Sequence, residues 1–109
     1  MTSDNVLIAR LDLGGDGPRV AVKDCIDIAG LPTFAGSEAL ADALPAERNT
    51  SVVASMLARG ARIVGKANMH ELAYGVTGVN RWLGTPVNPH YPGLIPGGSS
   101  SGSAAACSA

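Results

Sequence analysis

A segment rich in proline and glycine limits where this chain can form regular structure. Residues 80–98, NRWLGTPVNPHYPGLIPGG, hold four prolines and four glycines in nineteen positions. Proline fixes φ and lacks the backbone donor, and glycine loses more entropy on ordering than any other residue, so neither a helix nor a strand is expected there. We predict a long ordered loop and place the regular elements on either side of it.

Apolar patterning predicts an α/β chain. Aliphatic segments bounded by turn residues predict strands over 5–13, 19–23 and 62–66. Apolar stripes, helix formers and caps predict helices over about 37–43, 50–59 and 68–75, and again from 101 onward. The order strand, helix, strand with short connections indicates a parallel crossover.

Charge and composition exclude several classes of protein. The 109 residues carry a net charge of -1, with neither a basic patch for nucleic acid nor an acidic tail. No apolar run is long enough to cross a bilayer, and Asp4, Arg10 and Asp12 interrupt the region where a signal peptide would be apolar. Cys25 and Cys107 are too few for a disulfide framework or a metal site. We expect a cytoplasmic protein that binds no nucleic acid, membrane or metal.

Three serines between glycines suggest a functional loop at 95–109, IPGGSSSGSAAACSA. The segment alone leaves three interpretations open: a flexible connector, an anion cradle at a helix N-terminus, and a catalytic serine on a glycine-rich turn. A P-loop would need a Gly-Lys-Ser/Thr sequence, and no lysine follows Lys66.

A catalytic serine needs a base beside it. The two imidazoles, His70 and His90, fall in a predicted short helix and in the proline-rich loop, where surface or capping roles are favoured. A lysine can act as the base if burial lowers its pKa from about 10.4 to about 7. Lys23 and Lys66 each end a predicted strand, and these residues alone do not decide between them.

Four segments in a fixed order are more specific. VAVKDCIDIAGLPTFAGS, GARIVGKANMHELAYG, GTPVNP and PGGSSSGSAAA follow one another from about Arg19 to the end. Together they resemble the amidase signature family. The resemblance implies an α/β fold with a large mixed sheet covered by helices, of which residues 1–109 would be the N-terminal portion of a single amidase domain. Few strands and a last helix of barely two turns also lead us to expect a fragment of a longer protein.

The resemblance implies that the complete enzyme hydrolyses a carboxylic amide to an acid and ammonia or an amine, through an acyl-serine intermediate and a Ser–cis-Ser–Lys triad. It assigns Lys23 as the general base and leaves Lys66 structural. Ser99 becomes the bridging serine, after a cis peptide from Gly98, and Ser100 is expected to hydrogen-bond within the relay. The residues expected to line the acyl pocket are Ala73, Tyr74 and Gly75.

The family's nucleophile belongs to a second Gly-Gly-Ser motif, which does not occur before Ala109, so this chain would hold two of the three triad members. Cys25 stands where the family commonly has Asn, and we expect it to be a buried structural residue; Cys107 is expected to pack the last helix. No cofactor is implied. The expected partner is a small-molecule amide, and assembly into a homo-oligomer is left open. The alternatives are a non-catalytic binding or assembly module and the A subunit of a tRNA-dependent amidotransferase.

Overall fold

The computed structural model describes residues 3–109, and its three strands form one mixed sheet. Strand β1 is Leu7–Gly14, β2 is Arg19–Lys23 and β3 is Arg62–Ala67. The strand order is β1-β3-β2, so β3 is central, antiparallel to β1 and parallel to β2. The predicted strands and the α/β class are confirmed.

Two α-helices accompany the sheet. Helix α1, Ser51–Ala58, begins after Thr50 and ends before Gly60, whose φ of 87° is the left-handed conformation that ends helices. It connects β2 to β3 as the predicted parallel crossover. Helix α2, Ser101–Ser108, follows the serine loop and lies against β2 and β3. Within the described residues, no helix combines the length and the apolar character needed to cross a membrane.

Two predicted helices are longer than the structure shows. Residues 37–43 form only a 3₁₀ turn, Glu38–Leu40, capped by the Ser37 hydroxyl. Residues 68–75 form only the turn Glu71–Ala73. The predicted cap, Asn68, is buried and donates its amide to two distant backbone carbonyls, so it does not start a helix. The predicted loop over 80–98 contains no regular element.

The core lies between the sheet and α1. It is a cluster of aliphatic side chains from β2, α1, β3 and the turn after β2, namely Val22, Ile28, Val53 and Ile63. Successive residues of a strand point to opposite faces. Lys23 therefore faces away from this core, on the side that carries the serine loop.

Candidate active site

Lys23 and Ser99 meet at the centre of the site although they are 76 positions apart. Lys23 is the last residue of β2 and is half-buried. Its Nζ donates a hydrogen bond to Ser99 Oγ over 2.6 Å. The Gly98–Ser99 peptide is cis, as the resemblance implies. The structure thus brings together the two residues for which the resemblance implies a relay.

The segment that follows β3 holds the serine loop in place. The backbone N–H of His70 donates to the Ser99 carbonyl over 3.0 Å, and the N–H of Gly102 donates to the Asn68 carbonyl over 3.0 Å. A Cβ at Gly102 would lie 2.5 Å from the Val6 carbonyl oxygen and 2.6 Å from the Asn68 nitrogen. Only glycine lets α2 start this close to β3. The position of Ser99 is therefore set mainly by backbone contacts.

A buried ion pair lies on the other face of β2. Lys66 Nζ is 2.8 Å from Asp24 Oδ1, with side chains 2% and 0% exposed. Lys66 also donates to the Ile26 carbonyl over 2.7 Å, and Asp24 Oδ2 accepts from the Phe34 N–H over 3.1 Å. Burial raises the pKa of Asp24 above its usual 3.8, and the Lys66 ammonium acts in the opposite direction.

The ion pair separates the two lysines by environment. Lys66 is committed to Asp24, whereas Lys23 contacts a hydroxyl and forms no ion pair within residues 3–109. A carboxylate partner would hold a lysine in its charged form. The sequence missed this ion pair, although β2 and β3 pair in register with Val22 opposite Lys66. Asp24 lies two residues after Val22 and so shares the face of Lys66, but this register is a tertiary feature that no local sequence pattern gives.

A pocket of about 420 Å³ opens beside Ser99. Its lining includes the three predicted acyl-pocket residues, and the complete set is Ala73, Tyr74, Gly75, Val76, Gly98 and Ser99. Tyr74 and Val76 are 91% and 78% exposed, so this part of the lining is open to solvent and presents large apolar side chains. The structure places the predicted pocket residues together with Ser99.

Two neighbouring serines make no hydrogen bond with their hydroxyl groups among the described residues. Ser100 precedes α2, is exposed, and its hydroxyl has no partner among the described residues, so its part in a relay stays a prediction. Ser101 Oγ is fully buried and likewise has no hydrogen-bond partner in that part of the chain.

The burial expected for Cys25 is wrong, because Asp24 takes the inward position at this turn and leaves the thiol exposed. Cys107 is exposed as well and does not pack α2. Across the described residues, no His, Cys, Asp and Glu side chains form a group that could hold a metal ion.

Comparison with known proteins identifies the family of this chain. The family model described as Amidase matches residues 16–109, nearly the whole chain. The chain belongs to the amidase signature family. Its small mixed sheet with helices matches part of the fold found in solved members of that family.

Relatives in this family carry different names. The chain is 48% identical over 90 residues to a fatty acid amide hydrolase of Arabidopsis thaliana, covering 83% of this chain and 15% of that protein. It is 50% identical over 91 residues to the glutamyl-tRNA(Gln) amidotransferase A subunit of Halobacterium salinarum, covering 84% and 21%. The structure of the corresponding protein from Thermotoga maritima superposes with a TM-score of 0.80 at 32% identity, covering 98% and 26%. The chain thus spans only 15% to 26% of the lengths of these proteins.

Proposed function

We propose that this chain supplies the general base, Lys23, and the bridging serine, Ser99, of an enzyme that hydrolyses carboxylic amides. The observation that carries the proposal is the 2.6 Å hydrogen bond from Lys23 Nζ to Ser99 Oγ in a member of the amidase signature family. The attacking serine is proposed to lie outside the 109 residues, on a Gly-Gly-Ser motif. A free small-molecule amide as the substrate and a cytoplasmic location belong to the same proposal.

The proposed chemistry moves one proton through two hydroxyls. The nucleophilic serine attacks the amide carbonyl carbon while its proton passes to Ser99, and Ser99 passes its own proton to the neutral Nζ of Lys23. When the C–N bond breaks, the proton returns through Ser99 to the leaving nitrogen, and ammonia or an amine departs. The acyl group remains as an ester on the nucleophile. Water attacks that ester by the same relay, which releases the carboxylic acid and restores the serine.

Three features of the described residues support these roles. The lysine meets a hydroxyl rather than a carboxylate, and the neighbouring carboxylate of Asp24 is paired with Lys66 on the opposite face. The Ser99 backbone is held by the His70 N–H. The 420 Å³ pocket beside Ser99 has an apolar wall suited to the acyl part of an amide.

The first experiment measures ammonia release by the full-length gene product from a set of aliphatic and aromatic primary amides. Ser99→Ala should lower kcat by about 100-fold or more, because it breaks the proton path. Ser103→Ala is the matched control, since this serine lies in α2 away from the relay contact, and it should stay near the wild-type rate. An active wild-type protein whose Ser99→Ala variant keeps its rate would refute the relay.

A second function is favoured by the similarity to the two amidotransferase proteins. In that case the same site releases ammonia that a partner protein uses. Amide hydrolysis that appears only when the proteins encoded by neighbouring genes are added would favour it over a free-standing amidase. A gene that encodes no Gly-Gly-Ser motif downstream, with no hydrolysis under either condition, would favour a non-catalytic binding or assembly module. Homo-oligomer formation stays a prediction.

A further inference from the structure

One side chain closes the base of the loop that forms the pocket wall. Residues 71–77 form a mostly exposed loop between His70 and Gly78, and its first two residues are also hydrogen-bonded to the 35–37 turn. The N–H of Gly78 donates to His70 Nδ1 over 3.2 Å, and Thr77 Oγ1 lies 3.4 Å from the same nitrogen. The imidazole therefore joins the two ends of a loop that lines the same pocket as Ser99.

The contacts define the chemical state of this ring. Because a backbone N–H can only donate, Nδ1 of His70 acts as the acceptor, which places the hydrogen of the neutral ring on Nε2. The Nε2 edge packs directly on the Cα of Gly75, where an added Cβ would overlap it. Nδ1 thus accepts within the loop, the Nε2 edge packs against Gly75, and among the described residues neither ring nitrogen is hydrogen-bonded to Ser99.

The loop base is coupled to the serine through close backbone packing. A Cβ at Gly98 would lie 2.9 Å from the nitrogen of Gly78 and 3.1 Å from its Cα. Gly98 directly precedes Ser99 in the chain. A displacement of Gly78 therefore reaches the residue next to the bridging serine, and a displacement of Gly75 moves part of the pocket lining.

We propose that His70 is a positioning residue. It sets the shape of the acyl pocket through its hydrogen bond with the Gly78 N–H and its packing against Gly75. The inference rests on the proposed function, because it assigns this pocket to the acyl group of the amide. His70 touches no reacting atom. Its ring determines how closely the 71–77 loop approaches Ser99, and so which acyl groups fit between them.

Replacement of His70 by asparagine or by glutamine distinguishes a positioning role from a general effect on protein stability. In His70→Asn, the side-chain oxygen occupies the place of Nδ1 and can accept from the Gly78 N–H. In His70→Gln, the amide extends toward the place of Nε2 and leaves the Gly78 N–H without its acceptor. His90→Ala is the control, because this imidazole is exposed in the proline-rich loop. All variants are made in the full-length gene product.

The assay compares kcat and KM for primary amides of increasing acyl size. His70→Gln should raise KM about threefold to tenfold for the substrates that the wild type prefers, the effect of one lost hydrogen bond, and should flatten the discrimination by acyl size. Its kcat should stay within about twofold. His70→Asn and the control should keep the wild-type KM and discrimination. An Asn variant that behaves like the Gln variant, or a Gln variant like the wild type, would overturn the proposal.

A second readout does not depend on turnover. Amide hydrogen exchange at Gly78 should be about threefold to tenfold faster in His70→Gln than in the wild type, and unchanged in His70→Asn. If the wild-type protein hydrolyses no amide but this exchange pattern appears, the His70–Gly78 hydrogen bond holds the loop and the proposed function fails. If the protein is an active amidase and exchange at Gly78 is the same in all variants, the positioning role of His70 is refuted and the proposed function stands.

Discussion

Replacement of Lys66 by methionine tests the buried ion pair that anchors the end of β2. Methionine keeps most of the length of the side chain and removes the ammonium that lies 2.8 Å from Asp24 Oδ1. Both groups are almost completely inaccessible to solvent, so the variant leaves a carboxylate without a counter-ion in the interior. Removing one member of a buried ion pair typically costs 3–5 kcal/mol. We expect Lys66→Met to lower the free energy of unfolding by about 3–5 kcal/mol at pH 7.

The cost should depend on pH in a direction fixed by the pKa of Asp24. Burial raises this pKa above 3.8 in the folded protein, and Lys66 opposes the rise. A carboxyl with a raised pKa binds its proton more tightly when folded, so its contribution to stability falls as the pH rises from about 3.8 through the folded value. Without Lys66 the pKa rises further. The cost of Lys66→Met should therefore be largest at neutral pH and clearly smaller at about pH 4.5.

Urea unfolding of the full-length gene product at several pH values measures both effects. The matched control is the double variant Lys66→Met with Asp24→Asn, which removes both charges and keeps the volume. It should recover at least half of the loss at pH 7, because buried ion pairs are often replaceable by neutral groups. A single variant that loses less than about 1 kcal/mol, or whose loss does not change with pH, would contradict the role given to this pair.

Two further substitutions test how the loops are held. Gly102→Ala should destabilise the protein by about 1–3 kcal/mol in thermal or urea unfolding, because the clash with the Val6 carbonyl outweighs the helix propensity gained, about 1 kcal/mol. Ser103→Ala, one position on, should be close to neutral, and equal effects of the two would refute the close approach. Asn80→Ala removes an amide that donates to two backbone carbonyls over 2.9 Å and accepts from two N–H groups. A loss of about 2–4 kcal/mol is expected in the same assay, and a neutral result would contradict the contacts.

Local patterning predicted the elements whose signals lie within a few residues. The helix at Ser51–Ala58, its end before Gly60 and the strand at Arg62–Ala67 follow from an apolar stripe, a glycine and a branched aliphatic segment. Hydrogen bonds to distant backbone groups changed the structure where a helix was predicted from local pattern alone. Asn68 has the composition of a helix cap, but its amide is used by carbonyls on other segments, which no local pattern reveals.

The site was predictable in part. The residues alone left Lys23 and Lys66 as equal candidates, since each ends a strand. The resemblance to a family chose Lys23, and the structure gives the physical difference, a hydroxyl partner for one and a buried carboxylate for the other. The pairing with Asp24 depends on strand register, and the role proposed for His70 depends on how a loop closes. Both are tertiary features that single-residue propensities do not carry.

The most direct test of the account is the turnover of Lys23→Ala in the full-length gene product, with the best amide found for the wild type. The proposed base beside Ser99 is then missing, while the backbone hydrogen bonds that hold the serine loop remain. We predict a fall in kcat of about 100-fold or more with an unchanged melting temperature within about 3 °C. A folded Lys23→Ala protein that keeps at least a tenth of the wild-type kcat would contradict the role of Lys23 as the base.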